Sequence, residues 1–270
     1  GNALWEGGRV DGCGVSDLLL WCARLSTLDV SGNGLHDAGM QSLAGALQSL
    51  TALTSLSLGD GKLTAEGAVS LSGAVAQLPG LQHLGVKHNW IADKGVSALA
   101  AALSHSTGLD VRRNGLGPSG AGALAGLLAA SPHFRSLQAG ENWMGDAGAL
   151  AISAALSSPG ARTLEHLDLD ENEIGPEGAV ALSRALRDHG CASNLRVLLL
   201  GKNALGAAAS DVLGAALACC RLLEELDLSA NRVGSAGAAG IIDLFSAGIA
   251  DLSSEASCKA TSDRRDAESG

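Results

Sequence analysis

Tyrosine is absent from this chain, and aromatic residues make up only 2% of its 270 residues. A core without large rings must be built from aliphatic and small side chains, with backbones or helices packed closely; 37 glycines and abundant Ala and Leu supply the material. Long apolar runs are lacking too: none approaches the ~18 residues a membrane-crossing helix requires, so no membrane span is expected. Basic residues are in deficit, 18 against 28 acidic, for a formal net charge of −10. Phosphate contacts need clustered Lys and Arg, so the balance argues against an electrostatic nucleic-acid partner. No charged segment followed by an apolar stretch opens the chain. None of the six cysteines, Cys13, Cys22, Cys191, Cys219, Cys220 and Cys258, is paired at CxxC spacing. The expectation is free thiols in a reducing compartment, hence a cytoplasmic protein.

What the chain does have is a repeat. LSTLDVSGNGLHDAGMQSLAGAL from Leu25 returns as LQHLGVKHNWIADKGVSALAAAL from Leu81 and as LEHLDLDENEIGPEGAVALSRAL from Leu164. Further copies start at Phe134, Leu195 and Leu223; the copy at Leu53 carries Gly61 in place of Asn, and the one ending LDVRRNGLGPSGAGALAGLL lacks its first leucine. That makes eight units. Their marker column is Asn33, Gly61, Asn89, Asn114, Asn142, Asn172, Asn203 and Asn231, a spacing of roughly 28 residues, within the range that announces a solenoid. The fourth unit is short, which implies a tighter connection before its strand or an irregular sequence.

Each half of the unit has its own physics. LxxLxL alternates with period 2, as a short strand with one buried face does. The Asn suits the turn that follows, because its amide can satisfy backbone groups that no ladder reaches. After the glycine, apolar residues recur at helical spacing, as in Gly178, Leu182 and Leu186. Pro118 and Pro176 stand where a helix begins and a missing N–H costs little. Small-residue runs such as ALAAAL at Ala98 fit helix-to-helix packing.

The pattern LxxLxLxxNxLxxxGxxxLxxxL, running from about residue 25 to 245, resembles the ribonuclease-inhibitor type of leucine-rich repeat. The resemblance implies an α/β fold: a leucine-rich-repeat solenoid, or horseshoe, with an inner parallel β-sheet, outer α-helices and about eight full repeats. Residues 1–24, with Asn2, Leu4 and Gly8 at the unit's spacing, read as a partial N-terminal repeat or cap, 25–250 as the repeat domain, and 251–270 as a disordered polar tail. The chain begins inside a unit, which is expected of a fragment or an incomplete gene model.

Three functions come with the resemblance. Ribonuclease-inhibitor-like proteins grip a partner protein in the horseshoe, NLR-like immune receptors carry such repeats as a ligand-sensing end, and GTPase-activating proteins of the Ran type share them. The last usually bear a strongly acidic tail, whereas this tail is mixed in charge. The implied reading is an interaction scaffold that is not itself an enzyme, with Arg112 or Arg113 as the candidate charge stabilisers should a GTPase bind.

The variable positions around the strand leucines locate the candidate surface. Units three and four present Lys87, His88, Arg112 and Arg113, with His83 nearby; units five and six present Glu141, His166, Asp168, Asp170 and Glu171. A partner with its own charge asymmetry would match such a division. Just after the Asn column, Trp90 and Trp143 occupy equivalent places in units three and five, with Gly115 between them. Strand spacing puts the indoles roughly 10 Å apart across that gap. They either cover the rim of the core or form a binding hot spot, in which Trp and Arg are enriched.

Other chemistry is not supported. The histidines form no triad with Ser and an acid, and HxxxH and CxxC spacings are missing. DLDENEIGPEGA at Asp168 opens like an EF-hand loop but puts Glu173 where Gly is required and Ala179 where a bidentate Glu is required. Its leucines, Asn172 and Gly178 instead match the repeat columns. No cofactor and no obligate metal is expected.

Overall fold

In the computed structural model, residues 24–188, 194–217, 219–234 and 238–239 are described. The proposed partial repeat before residue 24, the tail from 251, and Cys13, Cys22, Cys191 and Cys258 lie outside them.

Each LxxLxL core forms one three-residue strand: β1 (Thr27–Asp29), β2 (Ser55–Ser57), β3 (His83–Gly85), β4 (Gly108–Asp110), β5 (Ser136–Gln138), β6 (His166–Asp168), β7 (Val197–Leu199) and β8 (Glu225–Asp227). They pair in chain order into one parallel sheet. The central leucines are in register, Leu56 beside Leu84, Leu84 beside Leu109, and so onward, so every second side chain enters one core and its neighbours face the open side. A helix follows each of the first seven strands: α1 (His36–Leu47), α2 (Ala65–Val75), α3 (Ala92–Ala102), α4 (Pro118–Ala130), α5 (Gly145–Leu156), α6 (Pro176–Asp188) and α7 (Gly206–Leu217). Strands stack ~4.8 Å apart while packed helices need ~8–10 Å, so the stack curves with the sheet inside. This is a leucine-rich-repeat solenoid of eight strand-bearing units among the described residues.

The repeat glycine exists because the helices approach closely. A Cβ on Gly95 would stand 2.8 Å from Ile91 Cβ and 2.9 Å from Ala68 Cβ of the previous helix. Pro118 and Pro176 are the first residues of α4 and α6. Unit lengths are reconciled outside the sheet. The short fourth unit enters β4 directly after a turn in which Ser106 Oγ bonds to Leu81 O, and the long connection before β6 coils into a 3-10 turn at Pro159–Thr163. Pairing on both sides of β4 is unbroken.

The loops after the strands are held by the Asn column. Asn89, Asn114, Asn142, Asn172, Asn203 and Asn231 are no more than 7% exposed. Asn142 shows the full pattern: Nδ2 donates to the carbonyls of Val111, Ala139 and Gly140, while Oδ1 accepts from the amides of Asn114 and Leu116, each at 3.0 Å. One side chain thus ties two units and closes a turn.

A second device spans units in pairs. Asp37, Asp93 and Asp146, in units one, three and five, reach to the next unit and accept from the amides of Thr64, Gly117 and Gly175, where α2, α4 and α6 begin. Units one, three and five therefore cap the helices of units two, four and six. From unit two to unit six the loops alternate with them: the residue after the marker column is left-handed in Lys62, Gly115 and Glu173, with φ of 57°, 72° and 58°. In units three and five that turn falls instead at Ala92 and Gly145. The amides of Trp90 and Trp143 are thereby free to donate to Leu63 O and Leu116 O, at 2.8 Å each.

Candidate functional site

The position just before the marker column is left-handed in every unit from the second to the eighth: Asp60, His88, Arg113, Glu141, Glu171, Lys202 and Ala230 have φ between 47° and 59°. That conformation costs on the order of 1 kcal/mol for a non-glycine residue. It is held because the amides extend the parallel ladder past the strands, His88 N to Arg112 O at 2.8 Å and Arg113 N to Gly140 O at 3.0 Å. The chain turns outward here, so these side chains line the rim.

The rim also carries the two indoles. Trp90 and Trp143 are 65% and 67% exposed, the reverse of the asparagines beside them. Gly115, with φ of 72°, separates them, and a Cβ on it would lie 3.5 Å from Trp143 Cζ3, so this indole leans over the glycine. Both rings border one groove of about 1020 Å³, which runs along the first five units past His36, Lys62, His88 and Arg113.

The candidate charges are not a free basic patch facing an acidic one. His88 Nδ1 pairs with Asp60 Oδ1 at 2.8 Å, Arg113 with Glu141 at 3.6 Å, and Lys202 with Glu171. Arg112 is held by Asp110 on its own strand face, Nε to Oδ1 at 3.0 Å and Nη2 to Oδ2 at 2.8 Å. His88, Arg112, Arg113 and Glu171 are thus each engaged by a neighbouring side chain, and the pair Arg113–Glu141 joins the expected basic units to the acidic ones. Lys87 is exposed over Gly59 and has no ion-pair partner among the described residues.

His166, Asp168 and Asp170 do share the concave face of unit six. Asp168 is only 3% exposed, because it lies across Gly140, whose missing side chain leaves the space: a Cβ there would be 2.7 Å from Asp168 Oδ1. Burial raises its pKa, opposed by the hydrogen bond from the Asp170 amide. Burial and then the neighbouring Asp168 charge push Asp170 up to about 6, although its carboxylate accepts from the Gly201 amide. Burial lowers His166, whose Nε2 is enclosed without a partner. At the same strand position Asp29 and Asp227 are lowered instead, since Ser31 and Ser229 hydrogen-bond to them in open surroundings. Among the described residues no group of three or more His, Cys, Asp or Glu is placed to hold a metal ion, and no helix is long and apolar enough to cross a membrane.

The rim column adds two residues that the sequence reading passed over. Lys62 and Glu173 occupy the place of the indoles in units two and six, both exposed. Reading the column after Asn in full, rather than only its tryptophans, reveals them.

Six stretches, 22–44, 49–72, 79–100, 107–125, 160–183 and 219–241, match the family model described as Leucine Rich repeat, together half of the chain. The chain belongs to the leucine-rich-repeat family. Among solved structures it is similar to an internalin from Listeria monocytogenes, with a TM-score of 0.53 at 20% identity over 84% of this chain and 62% of that one. It thus spans less than two thirds of that structure's length. A tropomodulin C-terminal domain from Caenorhabditis elegans aligns with a TM-score of 0.41 at 13% identity, over 64% of this chain and 91% of that one. No curated protein matches the chain.

Proposed function

We propose that the chain is a protein-interaction scaffold of the cytoplasm, not an enzyme, which receives a partner protein on its concave face and rim without nucleic acid, membrane or an obligate metal. The observation that carries the reading is the pair of indoles, about two-thirds exposed on a rim whose backbone is fixed by buried asparagines. Large aromatic rings held rigidly beside an arginine are the usual anchors of an interface. The arginines favour a binder over a GTPase activator. Arg112 is occupied bidentately by Asp110 and Arg113 faces Glu141, so neither stands as an unpaired cation for a nucleotide.

The test begins with a partner retained from native extract on the immobilised chain. Replacing Trp90, Trp143 and Arg113 with alanine is expected to weaken its binding about a hundredfold or more; unchanged affinity would refute the rim model. A GTPase panel is expected to hydrolyse at the same rate with and without the chain, and acceleration would support the activator reading instead.

A further inference from the structure

The rim column formed by the residue after each marker position reads, unit by unit, Lys62, Trp90, Gly115, Trp143, Glu173. It is a linear array: a cation, an indole, a gap, an indole, an anion. Its spacing is set by backbone hydrogen bonding, since Trp90 N reaches Leu63 O and Trp143 N reaches Leu116 O, each at 2.8 Å. The units therefore stack at the inter-strand distance along the rim as they do in the sheet. Two steps of ~4.8 Å separate the backbone positions that carry the indoles by roughly 9.6 Å. One turn of a polyproline II helix, three residues of ~3.1 Å, is about 9.3 Å.

We infer that this column binds a polyproline II segment of the partner protein, with two prolines three residues apart on the indoles, an acidic residue toward Lys62 and a basic residue toward Glu173. The inference rests on the scaffold reading and names the kind of segment that the rim receives. Three further features fit that occupant. A polyproline II backbone has no internal hydrogen bonds, and the N–H groups of the two indoles, about two-thirds exposed, can donate to its carbonyls. Gly115 puts no side chain between the two indoles that could hold the ligand off them, and the Trp143 ring lies against it. Charge complementarity supplies direction. The adjacent rim side chains engage each other, His88 with Asp60, Arg113 with Glu141 and Lys202 with Glu171, but Lys62 and Glu173 have no ion pair among the described residues. Extended proline-rich segments dock on aromatic-lined grooves of other folds for the same reason, because the ligand is already ordered.

A synthetic ten-residue peptide with two prolines three apart, aspartate at one end and arginine at the other, tests this by fluorescence anisotropy against the full chain. A scrambled peptide of equal composition serves as the reference. The inference expects the ordered peptide to bind at least about tenfold tighter than the scrambled one, and Trp90→Ala or Trp143→Ala each to remove about tenfold. Lys62→Glu, on an exposed site that leaves folding intact, makes both ends acidic. It is expected to weaken this peptide about fivefold and to strengthen one with arginine at both ends by a similar factor. Equal binding of ordered and scrambled peptides, or indifference to both tryptophan variants, overturns the inference. The two readings fail differently: a native partner released by the tryptophan variants while no proline peptide binds sinks only the polyproline assignment, whereas a native partner retained by them sinks the scaffold surface itself.

Discussion

Asn142 and Trp143 are consecutive in the chain and opposite in every physical respect. The asparagine is 1% exposed and makes five hydrogen bonds across two units; the indole is 67% exposed, and its backbone amide is already satisfied by Leu116 O. The same contrast holds between Asn89, at 3%, and Trp90, at 65%. One column holds the turns in shape and the next presents what those turns carry. A repeat can therefore vary its exposed rim residues at little cost to its scaffold, which is how loops on a rigid frame carry function.

Substitutions in the two columns sharpen the contrast. Asn142→Ala removes both acceptor and donor from a dry site and leaves buried backbone groups unpaired, so it is expected to destabilise by about 3–5 kcal/mol in urea unfolding. A loss under 1 kcal/mol would show that the asparagine ladder is not what holds the loops. Next in size is Asp146→Ala. Its carboxylate serves the amides of Gly175 and Gly178 at the start of α6, at 2.7 and 2.8 Å, so losing this borrowed cap should cost about 1–2 kcal/mol. The effect should register as faster hydrogen exchange in the first turn of α6.

A smaller effect, of opposite sign, is expected at Asp170. The native carboxyl holds its proton up to about 6, against an ordinary value of 3.8. The native state then binds more protons between those values, and stability falls as pH rises through that window. Asp170→Asn keeps an acceptor for the Gly201 amide and abolishes the charge. It should stabilise the chain above pH 6 by about 1 kcal/mol, a figure reduced from the full shift because the carboxyl is partly solvated. Thermal melts between pH 4 and 7 should lose part of their slope in the variant; a variant less stable than the parent at pH 7 would contradict the assignment. The smallest change is at the rim, where Trp143→Ala should move unfolding free energy by less than about 0.5 kcal/mol.

Much of the fold was legible because it is written in local periods. The leucines of LxxLxL, the marker column and the helix glycines each recur, and the strands fall on the expected residues. Trp90 and Trp143 were legible as a pair for the same reason. The charge pattern was not. Its meaning lies in contacts between residues about one unit apart, such as His88 with Asp60, and in the left-handed rim that aims them at each other. Arg112 on Asp110 joins two residues of one strand face, a pairing that a column-by-column reading separates. The burial of Asp168 required noticing Gly140 in the adjacent unit, since an acid is enclosed here by what its neighbour lacks. Alternation between odd and even units was present in Asp37, Asp93 and Asp146 but carries meaning only once those carboxylates are seen to reach the next helix.

The division of labour between the two columns is tested most directly in the Trp90→Ala, Trp143→Ala double variant, by measuring its melting temperature together with its affinity for a partner captured by the parent chain. The expected result is a melting temperature within about 2 °C of the parent and an affinity lower by about a hundredfold or more. A variant that melts many degrees lower would make the indoles part of the scaffold, and one that binds as tightly as the parent would place the interface elsewhere.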